Sequence, residues 1–225
     1  NVLSTPVWDV RGEINRGEMD LPVSFTTSGN SDDDGWNLVG NPFPSAIDFN
    51  APTGWRKTNI DATIYFRDNG NVPERFASWN GEVGTNGGTG IIPIGQGFWV
   101  KANGLDPELV ADENVKVAGV AATFFREEPI PDVLRIKLDP ESTGDEAVIY
   151  FREGATNTFD SKFDAYKLKN ISGNLASYTD DQKLLAINAL PPMECDTEVF
   201  LSVSEVNTGD HSLEVSGVES FSDNQ

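Results

Sequence analysis

Short runs of alternating or β-branched residues, separated by clusters of glycine, proline, asparagine and aspartate, recur along the whole chain. Residues 134–138, LRIKL, alternate apolar and basic side chains, and residues 147–151, AVIYF, form a near-continuous apolar run. A period of two buries one face of a strand, whereas a continuous apolar run is typical of a central strand. Helical periodicity is almost absent, so the sequence predicts an all-β fold of the sandwich type, jelly-roll or Ig-like.

The strand pattern and the residue composition both change near residues 126–132, REEPIPD, which marks a candidate domain boundary. Two prolines interrupt the strand pattern there, and proline cannot donate to a β-ladder. All five tryptophans precede this segment. We therefore predict two tandem β-sandwich domains, residues 1–128 and 129–225, and expect the second to be truncated at its C-terminal end.

Acidic side chains dominate the charge, because 36 Asp and Glu face 16 Lys and Arg and the net charge is −20. Such a surface repels phosphate backbones and anionic lipid, so we expect no nucleic-acid partner. No apolar run approaches the roughly 18 residues of a membrane span, so we expect no membrane insertion. Cys195 is the single cysteine, which excludes an intrachain disulfide.

The segment 35–48, GWNLVGNPFPSAID, is the most distinctive motif of the chain. It resembles a motif of large exported proteins of Bacteroidota, often in chains that carry a type IX secretion sorting domain. The resemblance continues in the same order at residues 62–66, 79–80, 92–100, 158–167 and 184–188.

This resemblance implies a location and a role. Such regions lie between a functional portion and a sorting domain, so the chain is expected to be part of a larger polypeptide, extracellular or on the outer cell surface. They are not known as enzymes. The resemblance therefore implies a non-catalytic structural or adhesion module, with a glycan or another cell-surface ligand as a possible partner.

The motif can also be interpreted physically. Pro42 and Pro44 cannot continue a strand, and Asn41 can form an Asx turn. We expect a rigid corner with Trp36 and Phe43 anchored inward, in preference to a ligand platform built from these rings.

Catalytic signatures are absent from the sequence. Cys195 and His211 could meet only in the fold, and no Gly-x-Ser-x-Gly elbow accompanies them. The glycine-rich run 84–90 lacks the Gly-Lys-Ser/Thr ending of a phosphate loop, which favours a flexible loop. Paired carboxylates could hydrolyse glycosides, but no two of the 36 acids stand out. We expect no enzyme and no cofactor.

Two groups of acids are candidate cation ligands. Asp32, Asp33 and Asp34 form a glycine-ended acidic loop that could supply oxygens to calcium. Their carboxylates are consecutive and do not match an EF-hand, so a solvated turn is preferred and no metal site is predicted. For Asp160 and Asp164, capping and turn chemistry is preferred.

Trp55 and Trp79 are the candidate ligand-binding residues. Both lie in Gly- and Asn-rich surroundings, and an exposed tryptophan can stack on the face of a sugar ring. The alternative is packing beneath loops, since tryptophan is highly buried on average. The sequence thus keeps open a carbohydrate-binding module, accessory to a secreted polysaccharide-degrading enzyme.

Overall fold

The computed structural model describes residues 11–68, 74–117, 130–139, 144–194 and 197–221. The all-β prediction is confirmed: apart from two short 3₁₀ turns, at Glu113–Val115 and Val218–Ser220, the regular elements are strands. In chain order they are β1 (Met19–Asp20), β2 (Trp36–Gly40), β3 (Ile47–Asp48), β4 (Trp55–Thr58), β5 (Ile64–Asp68), β6 (Arg75–Trp79), β7 (Gly84–Thr85), β8 (Ile91–Ile92), β9 (Gly97–Lys101), β10 (Glu108–Ala111), β11 (Val133–Leu138), β12 (Asp145–Phe151), β13 (Ala165–Tyr166), β14 (Asn174–Tyr178), β15 (Leu184–Leu190), β16 (Leu201–Ser204) and β17 (Leu213–Ser216).

The first half of the chain builds one larger sheet and two smaller ones. The larger sheet has the strand order β2-β9-β5-β6-β7, and β1-β10-β4 and β3-β8 form the smaller sheets. Ile64 and Phe98 from the larger sheet share one hydrophobic cluster with Ile47, Ile92 and Leu109 from the smaller ones. Two layers of strands therefore enclose this cluster, as in a sandwich.

The corner after β2 has the expected Asx geometry. Asn41 Oδ1 accepts a hydrogen bond from Phe43 N at 2.9 Å, and Asn41 Nδ2 donates to Ser45 O at 2.8 Å. Phe43 is buried, and the half-buried ring of Trp36 lies 5.0 Å from that of Tyr65. One asparagine thus holds the corner, and both aromatic rings point inward.

The second half forms one sheet in the order β16-β14-β15-β12-β11-β17, with β13 also paired to β15. All seven residues of β12 are buried. Because side chains alternate along a strand, Val148 and Tyr150 join one hydrophobic cluster, and Ala147 and Ile149 join another on the opposite face. This strand therefore requires a packed layer on each side of its sheet.

Part of the first half supplies one of those layers. Tyr65 and Val83 share a buried cluster with Val148, Tyr150 and Ile187. Among the described residues, no strand pair crosses from one half to the other. The halves thus have separate sheets but share one hydrophobic cluster, and their division into two tandem domains stays a prediction. The contact between the two halves through this cluster, which includes Tyr65, Val83, Val148, Tyr150 and Ile187, is called the seam below.

Asn80 is a polar centre of the seam. Its Oδ1 accepts hydrogen bonds from Glu82 N at 3.0 Å and Val83 N at 2.8 Å. Its Nδ2 donates to Tyr150 Oη at 2.9 Å and to Phe163 O in the second half. Because Asn80 is 3% exposed, no solvent replaces these partners when the side chain is removed.

Asn86, in the first half, bonds to a buried ion pair of the second half, Asp145 with Lys167. Its backbone N donates to Glu146 Oε2 at 2.7 Å, and its Nδ2 donates to Asp145 Oδ1 at 2.9 Å. The other oxygen, Asp145 Oδ2, accepts from Leu175 N and from Lys167 Nζ, each at 2.7 Å. The carboxylate therefore has a full set of donors, which a buried charge requires.

We expect Asn80→Ala to lower the free energy of unfolding by about 3 kcal/mol, because two backbone donors and the Tyr150 hydroxyl lose a buried partner. Urea unfolding measures this loss. Asn114→Ala, which removes an exposed amide, is the control and should stay within about 0.5 kcal/mol of the wild type.

The same titration tests the seam. Tryptophan fluorescence reports on the first half, which holds every tryptophan, and far-ultraviolet circular dichroism reports on both halves. A shared cluster predicts coincident transitions in the wild type. Two separate midpoints would contradict the coupling of the halves.

Candidate functional site

The structure brings Trp55 and Trp79 to the same loop, residues 48–51. Trp55 Nε1 donates to Asp48 O at 2.7 Å, and Trp79 Nε1 donates to Asn50 Oδ1 at 3.1 Å. Trp79 is 9% exposed within the first hydrophobic cluster, whereas Trp55 is half-buried at the edge of that cluster. The burial of Trp79 favours the packing alternative, because a sugar needs an open ring face. Trp55 keeps part of its surface open.

The acidic loop folds around an ammonium group. Lys101 is 5% exposed, and its Nζ donates to Ser31 O at 3.1 Å, to Asp32 O at 3.2 Å and to Asp34 O. The rings of Trp36 and Tyr166 lie 5.2 and 5.1 Å from this nitrogen. Carbonyl oxygens and aromatic faces both attract a cation, so the loop is ordered by the lysine of a neighbouring strand.

The three carboxylates of this loop bond to protein groups. Within the described ranges, no three His, Cys, Asp or Glu side chains are grouped so that they could hold a metal ion. The acidic side chains have these partners: Asp34 Oδ1 accepts from Ser28 N at 2.5 Å, Asp33 Oδ2 accepts from Asn30 Nδ2 at 2.8 Å, and Asp32 pairs with Lys183.

Asp160 and Asp164 organise the loop before β13. Asp160 Oδ1 accepts from Lys162 N at 2.9 Å, which is turn chemistry. The buried carboxyl of Asp164 accepts from Asp160 N at 2.7 Å and from Ala189 N at 2.8 Å. Burial raises the pKa of Asp164 to about 7, although these two hydrogen bonds oppose the shift.

Asp61 is a second buried acid close to the seam. Its side chain is 4% exposed and accepts from Asn103 Nδ2 at 2.8 Å. Burial raises the pKa of Asp61 to about 6, and the nearby charge of Lys101 opposes this. The next residues join the halves, because Ala62 N donates to Ser161 O at 3.0 Å and Thr63 Oγ1 donates to Asp164 O at 2.7 Å.

Both ring nitrogens of His211 contact protein oxygens. Its Nδ1 lies 2.5 Å from Asp139 Oδ2, and its Nε2 lies 2.7 Å from Asn207 O. The bond to the Asn207 carbonyl, followed by that to Asp139, raises the pKa of His211. The His211 side chain therefore links the β16–β17 connection to Asp139, at the end of β11. Cys195, its candidate catalytic partner, lies outside the described residues.

The glycine-rich run 84–90 packs closely against backbone. A Cβ at Gly88 would lie 2.3 Å from Ser78 O, and one at Gly84 would lie 2.0 Å from Gly88 O. Only glycine fits such approaches. Packing of the backbone therefore explains Gly84 and Gly88, whereas Gly87 has open space and a positive φ of 79°.

A cleft of mixed polar and apolar lining opens beside the loop 48–51, where the two halves meet. Its volume is about 580 Å³. The first half contributes Phe49, Lys57, Asn59 and Asn103, and the second contributes the segment 161–163. Sequence reasoning missed this cleft, because its residues are up to 114 positions apart (from 49 to 163) and share no motif.

These observations define an all-β protein whose two sheet systems share a buried seam, with a cleft at that seam. The chain belongs to a family described as a domain of unknown function, DUF8693, whose model matches residues 5–225. The match spans both halves. A search of the curated proteins and a search of the solved structures each found no match. Within the described ranges, no helix is long and apolar enough to cross a membrane.

The raised pKa of Asp61 predicts a pH-dependent stability. The unfolded carboxyl ionises near 3.8 and the folded one near 6, so the folded state binds the proton more tightly. The resulting stabilisation is complete below pH 3.8 and is lost as the pH rises through about 6. We expect the stability of Asp61→Asn, relative to the wild type, to increase by about 2 kcal/mol between pH 4 and pH 8.

Urea unfolding of both proteins across this range provides the measurement. Asp20→Asn, at an exposed carboxyl, is the matched control and should show no such trend. A stability difference between Asp61→Asn and the wild type that does not change with pH would contradict the raised pKa.

Proposed function

We propose that this protein is a non-catalytic structural or adhesion module of a larger exported bacterial protein, located outside the cell or on its outer surface. The observation that carries the proposal is the seam. A buried apolar cluster and the bonds of Asn80 and Asn86 join two sheet systems into one unit. A module that transmits position or force between its neighbours needs such a rigid joint.

The positions of the buried acids support a structural role. Asp164 accepts from two backbone N–H groups, and Asp145 accepts from Asn86, Lys167 and Leu175. Each of these carboxyls fixes one chain segment to another. A glycosidase would instead direct two carboxyls of unlike environment into one cleft.

Export is supported by the motif at residues 35–48, which resembles that of exported Bacteroidota proteins. The acidic composition favours solubility and fits an exposed location.

The location is tested on intact cells of the source organism. An antibody against this region should label unpermeabilised cells or the culture medium, and added protease should remove the cell-bound signal. A signal that appears only after lysis would overturn the proposal.

The absence of catalysis is tested on the purified protein, with panels of glycoside, ester and peptide substrates. We expect no turnover above the buffer blank. Turnover that is abolished by Asp61→Asn or Asp164→Asn, in variants that remain folded, would contradict a structural module.

A carbohydrate-binding module is the second candidate, and the partly open ring of Trp55 favours it. Trp55 lies next to Phe49 and Lys57, which both line the cleft. On a glycan array, Trp55→Ala should lose any signal that the wild type gives. Trp79→Ala should instead lower stability by about 3–5 kcal/mol, because it empties a core position. Absence of binding to every glycan would remove this candidate.

A further inference from the structure

Two lysines line the cleft at the seam of a strongly acidic protein. Lys57 and Lys162 line it, while the one acidic residue in its lining, Glu82, pairs with Arg152. Lys162 is exposed and has no ion-pair partner among the residues that the structure describes. Two lysines therefore line a cleft on a chain whose net charge is −20, and the charge of Asp48 acts on Lys57. An anion that enters this cleft meets an attractive local charge.

Lys57 is held in place before any ligand arrives. Its Nζ donates to Phe49 O at 2.6 Å and lies 3.5 Å from the centre of the Phe49 ring. Much of its side chain is exposed, but burial at the ammonium end lowers its pKa to about 8. A carbonyl and a ring stabilise the ammonium only partly, and two of its three N–H groups remain for an anionic acceptor.

Lys162 is fixed at its backbone. Its N–H donates to Asp160 Oδ1 at 2.9 Å, and Asp160 is held in turn by Asp164. The turn thus presents the side chain at the rim of the cleft, next to Ser161 and Phe163. A flexible lysine on an ordered turn can close on a charged group.

Two asparagines of the lining present amide oxygens as hydrogen-bond acceptors. Asn59 Nδ2 donates to Leu105 O at 2.7 Å, and Asn103 Nδ2 donates to Asp61 Oδ1 at 2.8 Å. These bonds orient both amides. Neither Oδ1 receives a hydrogen bond from the described part of the chain, so both can accept from hydroxyl groups of a ligand.

We propose that the cleft binds a carboxylated sugar, such as a uronic acid residue of an acidic oligosaccharide. The carboxylate lies between Lys57 and Lys162, and ring hydroxyls donate to the amide oxygens of Asn59 and Asn103. Phe163 offers an apolar edge to the ring. The inference rests on the carbohydrate-binding candidate above and names its ligand class. It places the sugar in the cleft beside Trp55, and Trp79 stays a residue of the hydrophobic core.

Titration calorimetry with α-1,4-linked trigalacturonate tests the site, with the fully methyl-esterified trisaccharide as the matched neutral ligand. We expect the acid to bind and the ester to bind at least tenfold more weakly. Lys162→Ala should weaken binding of the acid at least tenfold, and Lys162→Arg should retain most of it. Lys169→Ala removes an exposed lysine that pairs with Glu205 outside the cleft lining, and it should bind like the wild type.

Other outcomes overturn the inference. Absence of binding by the acid, equal affinity for acid and ester, or an unchanged affinity in Lys162→Ala would each do so. Inorganic phosphate that binds as tightly as the trisaccharide would show a simple anion site and would overturn the sugar assignment. A negative binding result would not contradict the proposal of a structural module. The location of that module is measured on intact cells, and the coupling of its halves is measured by unfolding.

Discussion

Burial of both faces of β12 is the constraint on which the rest of the structure depends. Its alternate side chains enter two different hydrophobic clusters, so the sheet of the second half needs a partner layer on each side. The first half contributes to one of them through Tyr65 of its five-stranded sheet and Val83 of the β6–β7 connection. The seam follows from this packing, and the cleft follows from the seam, because the loop 48–51 and the segment 161–163 meet at its edge.

Charge in this protein is organised by a few buried groups. Lys101 orders a loop that contains three consecutive aspartates, and its ammonium group does so by donating to backbone carbonyls of the loop, those of Ser31, Asp32 and Asp34. The aspartate side chains are thereby left to bond at the surface. A resident ammonium thus performs the ordering role that a bound cation has in many acidic loops.

The local features were predictable from sequence, and the distant ones were not. The alternation in LRIKL identified β11, and the proline-flanked Asn41 identified the corner, because both effects act within a few residues. The bonds of Lys101 reach back about 70 residues, and no spacing rule encodes them. The neighbours of Trp79 along the chain make it a candidate sugar-binding residue, with packing beneath loops as the alternative, but its burial is set by strands paired in space.

The arrangement around Asn86 also has an evolutionary consequence. This asparagine adopts a left-handed backbone conformation and bonds to two adjacent acids of β12. Asp145 in turn pairs with Lys167, so three segments distant along the chain depend on one amide. Family members should therefore exchange these residues together: a homologue without Asn86 should also have replaced Asp145 and Lys167, and correlated substitution would trace the seam in an alignment.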